Sequence, residues 1–350
     1  MIRNLILVLG FLPAVVFCKI ADINSNDVEI KLMGDLEGRS MIFKIKDENG
    51  KSIAVFKPTS GSTFYRGEYA SYKLAKLVGL GDIYSTTELS YMTPKTQKKV
   101  LTIVENIKFN KDYGQERNKD IKQKEENRKI IVEELKRNIE TKKNLDGALK
   151  SWVDNLMFYY PLGNKDGFKK SRIYQYLKAT GPQAPHTAFV LSQCTQLFEP
   201  KGCVDGWAYK DEVAKDISSI VLLDAVIGNS DRFSGGNLHF TSTDGDIETK
   251  KGLRIFKKAR LFSLDNGAVL RPNDRTGLNT LKELKVTRFV KEHVQELQKI
   301  KEMDDTTLRK ELGLGPEEFM IFRKNLVLVL SYIEELQEKY KEKIWFTETL

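Results

Sequence analysis

The sequence predicts an α+β fold of two lobes, a small β-rich N-terminal lobe and a larger, mainly helical C-terminal lobe. Three observations predict it. Residues 28–57 alternate apolar and polar positions between turn-forming Gly and Asn residues, the pattern of a half-buried β-meander. From Leu281 to Tyr340 apolar residues recur at helical spacing. Between these regions an apolar, helix-like run, Ile220–Ile227, leads into a Gly-rich loop and then into a hairpin.

The elements follow in order. Arg3 and an apolar stretch from Leu5 to Phe17 read as a secretory signal over residues 1–18. A buried N-terminal strand or helix is the alternative. A lipoprotein reading with Cys18 modified is weakened by the bulky Phe17. The first lobe is expected over residues 19–112. It starts with strands at Val28–Met33, Ser40–Lys46 and Ser52–Phe56, separated by a turn at Gly34–Arg39 and a hairpin turn at Asp47–Gly50. A polar loop leads to a helix, Glu68–Leu77, stopped at Gly79. Thr86–Met92 and Lys99–Ile107 read as further strands around a turn at Thr93–Lys98.

The second lobe is expected over residues 113–350. Its first segment, 115–150, is charge-dense and helical in propensity, a solvated surface helix or hairpin, or a partner-binding arm. Pro161–Gly206 reads as irregular. The helix Glu212–Ile227 follows, then a hairpin over about Leu238–Leu264 with its turn near Asp244-Gly245-Asp246. The remainder is helical, with end signals at Asp304/Asp305 and Gly315-Pro316.

Composition narrows the function classes. The chain has 350 residues, 41% of them hydrophobic, which is enough for a substantial core. Its net charge of +9 favours anionic partners such as nucleotides or acidic substrates. Basic residues are mixed with Asp and Glu and are not interleaved with aromatics, so a nucleic-acid partner is not expected. After the signal no apolar run is long enough to span a bilayer, so no stable membrane insertion is expected. The chain is expected in the secretory lumen or outside the cell, or in the periplasm if bacterial. Cys194 and Cys203 lie nine residues apart. In an oxidising compartment a disulfide closing that loop is expected, with two unpaired thiols as the alternative. No H-E-x-x-H or G-x-S-x-G motif occurs, which weighs against hydrolase chemistry.

Residues 224–237 and 263–267 carry the chemistry. The first reads Asp-Ala-Val-Ile-Gly-Asn-Ser-Asp-Arg-Phe-Ser-Gly-Gly-Asn and the second Ser-Leu-Asp-Asn-Gly. Phosphoryl transfer needs a carboxylate to orient the attacking hydroxyl. It also needs oxygen donors to hold the divalent ions that bridge the phosphates. Asp231, Asn237 and Asp265 occur in the order in which kinases use base, Asn and metal Asp. Asp224, two helical turns before Asp231, orients the loop or is simply polar. Arg232 neutralises a carboxylate or holds the loop. Lys57 ends the third strand, where it can reach phosphates. Glu68, eleven residues on, can pair with it. Gly34 and Gly38 let a backbone approach phosphates or form an ordinary tight turn.

Lys57-Pro58, Arg66-Gly67-Glu68-Tyr69-Ala70, Ile227-Gly228-Asn229-Ser230-Asp231-Arg232 and Leu264-Asp265-Asn266-Gly267 together resemble the atypical kinases of the secretory pathway. That group includes the Golgi casein kinase, the xylosyl kinase of proteoglycan assembly and four-jointed. A similar skeleton occurs in actin-fragmin kinase and HipA-like kinases. The resemblance covers residues from about 28 to about 270.

It implies a two-lobed, atypical protein-kinase-like fold that binds ATP with Mn²⁺ or Mg²⁺. Lys57 would hold phosphates, Glu68 would support it, Asp231 would be catalytic and Asp265 would bind metal. The expected activity is transfer of the γ-phosphate to a hydroxyl of a protein or glycan. The alternative is a pseudokinase that acts as an allosteric or scaffold protein. Asn237 follows Asp231 by six residues, where the family spacing is five. Either a bulge at Ser234-Gly235-Gly236 absorbs the extra residue, or the second metal is lost or held differently.

Overall fold

The computed structural model describes residues 20–33, 41–59, 64–107, 115–158, 160–195, 202–229, 231–233, 237–242, 247–250, 253–256, 258–267, 269–270 and 277–347. The expected signal over residues 1–18, Gly34, Gly38 and the Ser234–Gly236 bulge lie outside the described residues.

The chain is a mixed α+β protein with a β-sheet region and a helical part. The sheet region begins with β1 (Glu29–Leu32), β2 (Phe43–Lys46) and β3 (Ser52–Pro58), an antiparallel meander as the alternation predicts. Phe43 and Ile45 are buried, whereas the side chains between and after them, Lys44 and Lys46, are half-buried. Next come α1 (Tyr65–Leu77) and β4 (Thr87–Met92). Helix α1 starts three residues before Glu68 and ends ahead of Gly79, whose φ of 83° suits glycine.

Two expectations are corrected here. Residues 99–107 do not form a strand; Pro94–Glu105 is a helix, α2. Thr93 caps it by accepting from the Thr96 N–H, and Pro94 occupies its first turn, where no N–H is needed. Val100 and Val104, four residues apart, face the core together. The charged segment 115–150 is not helical throughout. Helix α3 (Gln115–Glu140) is followed by β5 (Leu145–Ser151). Strand β5 lies between β3 and β4, in the order β1-β2-β3-β5-β4. The sheet therefore takes in residues beyond the expected boundary at 112, to Ser151.

Period-two alternation decides which face of β5 meets what. Leu145 and Leu149 join Phe43, Ile45, Phe56, Val100 and Ile131 in a buried cluster beneath α2 and α3. Helix α3 buries Ile131 and Leu135 there, so it covers the sheet with one face and presents a charged face outward. The opposite sheet face meets α1.

The rest of the chain is built around α6 (Lys210–Ile227). From Ile217 to Ile227 every residue of this helix is buried, the mark of a core helix. Around it stand α7 (Gly277–Leu284), α8 (Lys291–Glu302), α9 (Asp305–Leu312) and α10 (Pro316–Tyr340). Asp304 and Pro316 start α9 and α10 as expected. Their apolar faces form the second and larger buried cluster, which also takes in Ala70, Leu74, Ala75 and Val78 of α1.

Two further expectations change. Pro161–Gly206 is not irregular throughout. After the short β6 (Met157–Phe158), it holds most of α4 (Tyr160–Gly163), then α5 (Lys165–Lys170), β7 (Ala188–Thr195) and the start of β8 (Gly202–Tyr209). Leu191 is buried and Val190 exposed, an alternation that polar neighbours mask in the sequence. The 238–264 segment holds two hairpins, not one. Strand β9 (Leu238–Thr241) pairs with β12 (Arg260–Ser263), while β10 (Ile247–Lys250) and β11 (Leu253–Phe256) pair and join β8. The β7–β8 register sets Cys194 opposite Cys203. Their side chains lie outside the described residues, so the disulfide stays an expectation. Among the described residues no helix is long and apolar enough to cross a membrane.

Candidate active site

Four segments meet at one place: the end of β3, the first turns of α1, the loop after α6, and the residues after β12. Lys57 is the penultimate residue of β3. The strand period turns it away from Phe56, toward α1. Its Nζ donates to Glu68 Oε1 at 2.6 Å and to Asp265 Oδ1 at 2.8 Å. Glu68 and Asp265 therefore share one ammonium, although Asp265 lies 208 positions beyond Lys57.

A second lysine completes the cluster. Lys150 of β5 donates to Glu68 Oε2 at 2.5 Å, and the Asn266 N–H donates to the same oxygen at 3.1 Å. The sequence reading missed Lys150 because it lay in the segment taken as helical. The local signal is weak: Leu145-Asp-Gly-Ala-Leu-Lys-Ser carries only two charges after Asn144 but does not alternate cleanly, since Ala148 and Leu149 are adjacent apolar residues.

The electrostatics follow from burial and partner count. Burial pushes the Glu68 carboxyl up, but Lys150 and Lys57 outweigh it and hold the group well below the usual carboxylate range. Burial alone would lower Lys57. Glu68 and Asp265 reverse that and raise it above the ordinary lysine range. Lys150 is lowered, because burial and the neighbouring Lys57 outweigh its single partner, Glu68. The two lysines shift in opposite directions because only Lys57 has a second carboxylate.

The loop after α6 is held by a separate network. Gly228, with φ of 70°, ends the helix in the left-handed conformation. Asp224 and Arg232 are both buried and meet in a two-pronged pair. Arg232 Nε donates to Asp224 Oδ2 and Nη2 to Oδ1, each at 2.8 Å. Arg232 Nη1 also donates to the carbonyls of Asn237 (2.8 Å) and Leu264 (2.7 Å), and Nη2 to Asn266 Oδ1 (2.5 Å). One guanidinium thus ties the Asp231 loop to the Asp265 segment, which is the loop-holding role that the sequence allowed. Asp224 acts through Arg232 and Asn229, whose Nδ2 donates to Asp224 Oδ1 at 3.0 Å.

Asp231 and Asn237 are brought together. Asn237 Nδ2 donates to the Asp231 backbone carbonyl at 2.8 Å and lies 3.3 Å from Asp231 Oδ2. The Asp231 N–H donates to Asn229 Oδ1 at 3.0 Å. Asn237 and Leu264 flank the paired ends of β9 and β12, and the Leu264 N–H donates to the Asn237 carbonyl. Asp231, Asn237 and Asp265 therefore gather at one end of that hairpin.

Asp265 has φ of 48°, a left-handed conformation that Asp tolerates better than most residues. Its side chain is 49% exposed, while that of Glu68 is fully buried at 0%. Glu68 is thus a supporting group and Asp265 an accessible one. Gly67 allows the close approach between the two segments, because a Cβ there would run into the Val269 side chain. His239, which the sequence places in a strand, is in β9. Burial lowers its ring to about 4, so it is neutral at pH 7.

No protein-family model matches the chain, and no curated protein matches it.

The donors around Asp265 are hard oxygens, which suit Mg²⁺ or Mn²⁺ better than a softer ion. Among the described residues no three His, Cys, Asp or Glu side chains converge as a self-sufficient metal cage.

Proposed function

We propose that the chain is an ATP-dependent phosphotransferase of two-lobed, atypical kinase-like fold, acting on a hydroxyl of a protein or glycan in the secretory lumen or outside the cell. The observation that carries this reading is the contact of Lys57 with both Glu68 and Asp265 beside the loop that bears Asp231 and Asn237. A lysine fixed by a buried carboxylate suits a phosphate-binding group, and the half-exposed Asp265 suits a metal-binding one.

Glu68 holds the Lys57 ammonium in place, and Lys150 neutralises the second oxygen of Glu68. Asp231 would accept a hydrogen bond from the acceptor hydroxyl and orient it for in-line attack. Arg232 and Asp224 keep Asp231 in register with Asp265. Asp265 and Asn237 would hold a divalent ion, which neutralises charge on the phosphates when bound.

The test is thermal stability with ATP, with and without Mn²⁺ or Mg²⁺, for the wild type and Asp265→Ala. At a hundredfold excess over Kd the ligand stabilises by about 2.7 kcal/mol. Metal-dependent stabilisation that vanishes in the variant supports the reading. No shift under any of these conditions overturns it.

A second reading is favoured by one observation. Asn237 sits six residues after Asp231 and spends its amide on the Asp231 carbonyl. A nucleotide-binding scaffold without transfer fits that arrangement. Phosphate transfer abolished by Asp231→Asn excludes it.

A further inference from the structure

We infer that a cavity formed by residues 178–180, the end of α7 and the last turns of α10 binds a small, multiply phosphorylated anion. This inference does not rest on the nucleotide reading, and none of the cavity's lining residues belongs to the Lys57–Asp265 network.

The cavity measures about 450 Å³, within the range of small-ligand sites. Four ammonium groups line it, those of Lys178, Lys282, Lys285 and Lys339, against one carboxylate, Glu335. Among the described residues none of the four lysines forms an ion pair with a carboxylate. Aromatic faces hold three of them instead. Lys178 Nζ lies 4.3 Å from the Tyr174 ring centre, Lys282 Nζ 5.3 Å from that of Tyr332, and Lys339 Nζ 5.1 Å from that of Tyr340. A ring satisfies one side of an ammonium and leaves its N–H donors free on the other.

Lys285 is the fourth lysine of the lining. Helix α7 ends with the Val286 N–H donating to the Leu281 carbonyl and the Lys285 N–H to the Lys282 carbonyl. This ending places Lys285 in the left-handed conformation, with φ of 51°. Glycine is the usual residue there, because a Cβ is crowded. Lysines in a final helical turn are common for the sake of the helix dipole, but that role needs no left-handed residue. Lys142, at the end of α3, has the same ending and a φ of 52°, so what bears on the cavity is that Lys285 lines it.

The chemistry of the lining selects the ligand class. Lysines act as point charges, which suits phosphate, and the cavity has no guanidinium fork for a planar carboxylate. Four cations against one carboxylate call for dense negative charge, and a phosphate ester carries more charge than a sulfate ester. Thr180, Thr287 and Tyr332 add hydroxyls that can donate to phosphate oxygens.

The experiment is isothermal titration of the whole protein, in metal-free buffer with chelator, using inositol hexakisphosphate, inorganic tripolyphosphate and inositol hexasulfate. Saturable one-to-one binding of the phosphorylated probes is expected, weaker with added salt. Lys178→Gln with Lys339→Gln should lower affinity by at least about tenfold, the least expected for lost hydrogen bonds to charged groups. Lys285→Gly should lower affinity while raising the melting temperature, because glycine relieves the strain. Four results each overturn the proposal: no saturable binding; equal binding of the hexasulfate; binding lost in Lys57→Met but kept in the cavity variants; or unchanged affinity in Lys285→Gly.

Discussion

Glu68 is an anion buried between two buried cations, and its worth to the fold depends on staying ionised. Removing one member of such a group leaves uncompensated buried charge, a loss of about 3–5 kcal/mol. Glu68→Gln is therefore expected to destabilise by that amount at neutral pH. The pH dependence has a definite sign. The folded carboxyl is held below its ordinary range, so the unfolded chain takes up a proton first. The stabilisation is complete above about pH 4.3, the ordinary Glu value, and falls by about 1.4 kcal/mol per pH unit below it. Urea midpoints of wild type and Glu68→Gln between about pH 6 and about pH 2 check this. The two curves should converge in acid; parallel curves would rule out the ion-pair account. At this scale much was legible. Lys57, Glu68, Asp231, Asn237 and Asp265 all stand out in the sequence, and the structure brings them to one place. Lys150 does not stand out, because a lysine in a charged stretch looks solvated until its strand is known.

Strand β5 shows how one element decides the site. It separates β3 from β4 and carries Lys150 to Glu68. Gly147 faces Pro58 across the ladder, and a Cβ there would lie within 2.6 Å of the Lys57 carbonyl oxygen and crowd the Phe56 ring. Gly147→Ala is therefore expected to cost about 1–3 kcal/mol by overpacking and to shift the end of β3 that bears Lys57. Chemical denaturation measures the first effect. ATP affinity measures the second and should drop with it; stability and affinity equal to wild type would show that β3 and β5 are looser than described. Strands β1 to β3 were readable from their local alternation, and helix α6 from an apolar stretch too long for a strand. Helix α2 was misread because its apolar residues are few and β-branched, and local propensity there is weaker than the Thr93-Pro94 start signal. Strand β5 was misread because composition was averaged over a long charged window, which hid seven residues that carry only two charges.

Among the described residues there are two buried clusters, one beneath α2 and α3 and one around α6. Helix α1 joins them. Its Glu68 faces the sheet, while Leu74, Ala75 and Val78 pack in the second cluster. Lys73 adds an ion pair to Glu311 of α9 at 2.8 Å. With α1 shared, wild type should unfold in one calorimetric transition. Leu74→Ala should cost about 2–5 kcal/mol by leaving a cavity, and should weaken the link between the clusters enough to broaden or split that transition. A sharp single transition at lower temperature would show that the clusters are coupled by more than α1.

The sequence by itself determined the α+β class, the meander, the core helix α6 and most of the residues that meet at the candidate site. These depend on local period, turn residues and short motifs, all of which act over a few positions. Only the tertiary structure decided that Lys57 reaches Asp265 across 208 positions, that β5 is a central strand, and that Arg232 locks two loops with one side chain. The reason is physical. A buried charge is stable only where partners from several distant segments meet around it, and that meeting is set by the packing of whole elements.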